Sequence, residues 1–178
     1  MTDPVLDSIK RLDFNYQIID CDPELADTAA FCASYGYQPS ESANAILVVG
    51  KGDPRVYALC VVLADTQIDV NKTVRHKFGR KKASFASSDE TRELTGMILG
   101  GVTPFGTPES IPVWIDSRVL LCPKVIVGGG SRDRKIYISP KALSALPSAE
   151  AAVNEVPKTQ ATRADRRSQR PCQPGRTR

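Results

Sequence analysis

The chain has 178 residues, 41% hydrophobic and 25% charged, a composition that suits one soluble domain and a length too short for two full ones. No apolar run approaches the roughly 18 residues of a membrane span, and Asp3 and Asp7 break the basic-then-apolar pattern of a secretory signal, so a cytoplasmic protein without a membrane partner is expected. The formal charge of +4 is unevenly spread: residues 153–178 hold Lys158, Arg163, Arg166, Arg167, Arg170, Arg176 and Arg178 against Glu155 and Asp165, a net of +5, which leaves −1 for the rest.

In chain order, Val5, Leu6, Ile9 and Leu12 recur at helical spacing, and Tyr16 to Asp20 reads as a strand. Asp22-Pro23-Glu24 is a helix start, a capping carboxylate before a proline whose missing N–H is harmless there; the helix should run to Tyr35 and stop at Gly36. Ala45 to Val49 and Val56 to Leu63 are apolar and β-branched, an antiparallel pair around a glycine-rich turn. Asp69 to Phe78 reads as a basic amphipathic helix and Lys82 to Ala86 as a short strand. Ser88-Asp89-Glu90 caps a helix that ends at Gly96. Gly100 to Gly106, GGVTPFG, cannot be regular structure. Pro112 to Asp116, Val125 to Val127 and Lys135 to Ile138 are further strands, and Ser139-Pro140 opens a last helix reaching Leu146.

These elements predict an α/β (α+β) single domain over residues 1–147, with a mixed, mostly antiparallel sheet of about six or seven strands and short flanking helices. After Pro147 the apolar periodicity fades, and residues 148–178 read as a basic, disordered tail. Its arginines, Arg166 and Arg167 among them, would add salt-dependent affinity for a phosphate backbone, or serve only as a solubilising extension.

The five cysteines are widely spaced with no CxxC pair, and His76 is the single histidine, so neither a disulfide framework nor a metal site is expected. No cofactor is expected either. Gly128-Gly129-Gly130 follows a strand as a dinucleotide loop would, but the next residues alternate like a strand instead of opening a helix, so a turn between strands is the better reading. Gly50-Lys51-Gly52 lacks the spacing of a P-loop, and Cys60 or Cys122 acting with His76 as a nucleophile is disfavoured because thiols in apolar strands are usually inert. Lys72, Arg75, His76 and Lys77 form a basic face that is either simply solvated or tracks a phosphate backbone. In GGVTPFG, the adjacent glycines and Pro104 would let the N–H groups of Gly101, Val102 and Thr103 converge on an oxyanion.

The runs GRKKASFASSDETRELTGMILGGVTPFGTP and VWIDSRVLLCPKVIVGGGSRDRKIYISPKAL, within a span from about Asp22 to Leu146, resemble the YbaK/ProX family, which is similar to the editing insertion of bacterial prolyl-tRNA synthetases. The resemblance implies a YbaK-like fold and a tRNA-editing hydrolase that deacylates mischarged aminoacyl-tRNA in trans. Aminoacyl-tRNA is then the partner, and an aminoacyl-tRNA synthetase is a second candidate. The family's GxxxP loop corresponds to Gly100, Gly101, Val102, Thr103 and Pro104, the expected catalytic segment. Asn44, Ala45, Gly129, Gly130, Ser131 and Lys135 are the expected substrate-binding residues.

One departure stands out. Asn44 occupies the place where the family has a lysine, while Lys135 stands where relatives often carry an acidic residue, so the positive charge is expected to have moved across the pocket. The competing reading is a catalytically weak or inactive relative that binds tRNA, an aminoacyl end or a protein. A small-molecule module using the glycine turn is a third.

Overall fold

A computed structural model describes residues 3–153, so the basic segment, with Arg166 and Arg167, lies outside the described residues. The spine is a hairpin of β2 (Ala43–Lys51) and β3 (Val56–Leu63), in register from Ala43 opposite Leu63 to Gly50 opposite Val56. Both of its faces are covered. Ala43, Leu47, Leu59 and Val61 point into the main core, and Val48, Ala58 and Cys60 into a smaller one, which explains the near-continuous apolar run in the sequence.

Two sheets are present where the sequence suggested one. Five strands run in the order β4-β2-β3-β5-β8 and three in the order β1-β7-β6, where β1 is Tyr16–Asp20, β4 Lys82–Phe85, β5 Val113–Asp116, β6 Val125–Gly128, β7 Arg134–Ile138 and β8 Ala149–Val153. The three-stranded sheet is antiparallel, while β5 lies parallel to both β3 and β8. The separation has a local cause. One edge of β2 pairs with β4 only over Val48–Lys51, and the same strand's start meets β6 only through a bridge of Ser42 with Ile126. Between these points the edge is open.

Helix α1 (Pro4–Leu12), capped by Asp3, buries Val5 and Ile9 in the main core. The helix expected from Asp22 to Tyr35 is interrupted: a 3-10 turn, Pro23–Leu25, precedes α2 (Thr28–Tyr35), which ends on Gly36 in the left-handed conformation. In a continuous helix the Ala26 carbonyl would accept the Ala30 N–H; the break leaves it for another donor. The basic helix is likewise split into a π-helical turn, Val70–Val74, and α3 (Arg75–Lys77), because Val70, Val74 and Phe78 must all reach the smaller core beside Trp114. Helix α4 (Ser88–Thr95) carries the reciprocal cap of Ser87 and Glu90 and stops at Gly96. Two short helices, α5 (Ser117–Leu120) and α6 (Lys141–Ser144), follow; α6 stops short of Leu146, and β8 extends the ordered chain past residue 147 by pairing with β5. Among the described residues no helix is long and apolar enough to cross a membrane.

Phe105 ties the GGVTPFG loop to this framework, since its ring is fully buried in the main core. Phe105→Ala should therefore lower unfolding free energy by about 3–5 kcal/mol, read from urea melts, and Phe105→Leu by clearly less.

Candidate active site

The open stretch of the β2 edge becomes the floor of a cavity of about 180 Å³. Ser42 to Ile46 line one side, Asp27, Thr28 and Phe31 of the α2 region another, and Leu99, Gly100 and Val102 with Gly128 and Lys135 close the rest. Strand alternation fixes what the edge offers. The Leu47 carbonyl accepts the Ala86 N–H, so Ala45, two residues earlier, directs its own N–H and C=O to the same, unpaired side.

Lys135 enters from β7 and is 5% exposed. Its Nζ donates to the Ala26 carbonyl at 2.6 Å and the Gly100 carbonyl at 2.7 Å, and stands 5.6 Å from the centre of the Phe31 ring. An ammonium has three N–H donors, so one remains for a ligand. Burial holds its pKa below the usual lysine value, with Arg132 acting in the same direction and Cys21, Asp27 and Cys32 opposing. Across the cavity Asn44 accepts a hydrogen bond at Oδ1 from the Thr28 hydroxyl, 2.5 Å away. That contact orients the amide so that its NH₂ group is the end left to donate.

The GxxxP loop is held by close backbone approach. A side chain on Gly128 would place Cβ 2.2 Å from the Val102 carbonyl oxygen, and one on Gly101 would meet the Ser131 backbone at 2.6 Å. The Gly130 N–H donates to the Gly101 carbonyl at 2.7 Å. The glycine triple thus packs a turn against the loop. Gly129, Gly130 and Ser131 stand behind the wall and do not line the cavity, and neither do Gly101, Thr103 and Pro104. The expected convergence of three amides is also corrected: the Gly101 N–H donates to the Ile98 carbonyl at 3.0 Å and the Thr103 N–H to Met97 Sδ at 3.4 Å. Gly100 and Val102 both line the cavity, and their amides have no acceptor among the described residues.

Sequence reasoning missed Arg132. Its Nε donates to the Pro23 carbonyl at 2.9 Å, while Nη1 donates to the Leu99 carbonyl at 3.0 Å and lies 3.3 Å from Asp27 Oδ1. One guanidinium therefore clamps the segment before α2 to the GxxxP loop, and nothing in the local sequence distinguishes it from Arg134, which pairs with Asp3 instead. The basic face is only partly available. Lys72, Arg75 and His76 are exposed, but Lys77 Nζ lies 3.1 Å from Glu150 and 4.8 Å from the centre of the Trp114 ring. The thiols are poorly suited to attack: burial pushes Cys60 up to about 12, and Cys122 is raised by burial and by Asp65 and Glu41. Among the described residues no three His, Cys, Asp or Glu side chains gather as a metal would need.

Comparison with known proteins places this geometry among relatives. The family model described as the aminoacyl-tRNA editing domain matches residues 22–146. The uncharacterized protein YwhH of Bacillus subtilis is 37% identical over 109 residues, 61% of this chain and 67% of that one. A protein of Enterococcus faecalis named "Putative Cys-tRNA(Pro)/Cys-tRNA(Cys) deacylase EbsC" is 24% identical over 119 residues, 67% of this chain and 71% of its own. Among solved structures, the hypothetical protein APE2540 superposes with a TM-score of 0.73 at 25% identity, over 83% of this chain and 97% of that one. A "putative trans-editing enzyme for prolyl tRNA synthetase" superposes at 0.70 with 24% identity, over 83% and 91%, and so shares the fold.

The buried ammonium makes a signed prediction. Lys135 has a lower pKa folded than its unfolded value of 10.5, so the folded state gives up the proton first. The penalty of burying the charge is fully present below the folded value and disappears as pH rises from there to 10.5. Relative to Lys135→Met, the wild-type protein should gain stability across that window in urea melts. A constant difference would mean that the group is not desolvated.

Proposed function

The chain belongs to the aminoacyl-tRNA editing domain family, and we propose that it deacylates mischarged aminoacyl-tRNA in trans, with Lys135 supplying the positive charge that the family lysine would supply at position 44. The single observation that supports this reading is the cavity itself, whose lining includes Lys135 with one N–H beyond its two carbonyl contacts, the Asn44 amide, and Gly100 and Val102, whose amides have no acceptor among the described residues.

In this account the aminoacyl group enters the cavity with its ester carbonyl toward these donors. Water attacks the carbonyl carbon, the oxygen takes up negative charge, and the bond to the ribose oxygen breaks as that oxygen regains a proton. The products are a free amino acid and tRNA with its terminal hydroxyl restored. Donors fixed in place before the charge develops stabilise the tetrahedral state more than the ground state. Asp27, a carboxylate among the lining residues, is paired with Arg132, and this account assigns proton removal to the substrate's neighbouring ribose hydroxyl or to a positioned water. A volume of about 180 Å³ suits a small acyl group, since about 150 Å³ accommodates a benzene-sized molecule. Asn44 favours a second reading, a binding protein without turnover, because an amide brings no charge.

A panel of mischarged tRNAs separates the two readings. At least one should be hydrolysed, and Lys135→Ala should slow the single-turnover rate by about 10²–10³-fold, the effect of removing one oxyanion donor. If Lys135→Ala left hydrolysis unchanged while Asn44→Ala abolished it, the charge would not have moved. Binding with no turnover across the panel would leave the non-catalytic reading.

A further inference from the structure

The KASFA strand ends in a ring that the site described above does not use. Phe85 is 54% exposed, at the end of β4, which is an edge strand of the five-stranded sheet. It sits directly opposite Val48 of β2, and residues opposite one another share a face. Alternation puts Asn44 and Ile46 on that same face, and both line the cavity. Four residues along the strand and one strand across separate Phe85 from Asn44, about 14 Å, or about four stacked nucleotides.

The surroundings leave this ring bare. Helix α4 lies on the other face, where Tyr57 donates to Glu90 and Ala86 and Leu94 join the main core. The π-helical turn Val70–Val74 packs with Val48 and Ala83 without burying Phe85, and the helical segment it opens carries the exposed Lys72 and Arg75. A half-bare aromatic ring on the face that leads to the cavity, with exposed cations on the helical segment packed against the same sheet, matches the chemistry of a single-stranded nucleic acid, whose bases stack on aromatic faces while its phosphates take the charges.

We infer that Phe85 is a positioning residue, a platform on which an unpaired base of the tRNA acceptor end stacks, upstream of the terminal nucleoside whose ester enters the cavity. The inference rests on the deacylase reading for the identity of the strand. Phe85 touches no reacting atom; it sets where the strand lies.

The test compares two esters of the same amino acid, the full aminoacyl-tRNA and the aminoacyl-adenosine that lacks upstream bases. Phe85→Ala should raise KM for the tRNA about 5- to 150-fold, leaving kcat and the KM of the adenosine ester unchanged. Phe85→Trp should restore the tRNA KM, and its new indole emission should be quenched by a short single-stranded RNA of acceptor-end sequence. A thermal melt of Phe85→Ala close to wild type would confirm that the ring is not a core element. Equal effects on both esters, no effect on either, or loss of self-association in place of RNA affinity would overturn the inference. If the wild type hydrolyses neither ester, the deacylase reading fails, and the RNA anisotropy of wild type, Phe85→Ala and Phe85→Trp still decides whether a base stacks there.

Discussion

An ammonium taken out of water must have its donors satisfied, and the way Lys135 meets that demand shapes the whole site. Its two acceptors are carbonyls from segments far apart in the chain, Ala26 and Gly100. Both segments must depart from regular structure to offer them. The chain breaks its helix at Ala26 and Asp27, and it turns through Gly100 at φ +87°, a conformation disfavoured for residues with a side chain. Replacing Lys135 by an apolar residue removes a desolvated charge but also strands two carbonyls beside the cavity, so the net effect on stability is smaller than the effect on order.

Arg132 acts on the same segments from outside. It binds the carbonyls of Pro23 and Leu99, each within three residues of a Lys135 acceptor, and pairs with Asp27. Inner and outer cations thus grip one junction between the α2 region and the GxxxP loop. The glycines complete it by letting the β6–β7 turn lie against the loop backbone with no side chain between. The cavity is therefore a consequence of sheet topology sealed by two cations. It opens where β2 has left β4 and only just reached β6.

Elements governed by local rules were legible in the sequence: α1, the β2–β3 hairpin, the capped α4 and the strand nature of the residues after Gly130 all follow from periodicity and capping. The division into two sheets was not, because it depends on one bridge, Ser42 with Ile126, which leaves no pattern in either strand. The split of the basic helix was hidden for a similar reason, as its geometry answers to Trp114 and Val48 across the sheet. Asn44, Ala45, Gly100, Val102 and Lys135 came from family resemblance and meet in one cavity. Thr28, Asp27 and Arg132 did not, since each acts through a contact that only the folded chain creates. The three-amide nest failed because sequence cannot show that the Gly101 and Thr103 amides already have acceptors.

The central claim is that one positive charge in the cavity is required and that it has changed sides. A charge swap tests this most directly, because rescue cannot be explained by misfolding. Single-turnover deacylation would be measured for wild type, Lys135→Met, and Lys135→Met combined with Asn44→Lys. The account predicts that the single variant loses most of its activity and that the double variant regains a substantial part of it. An undiminished rate in Lys135→Met, or a double variant no better than the single one, would contradict it.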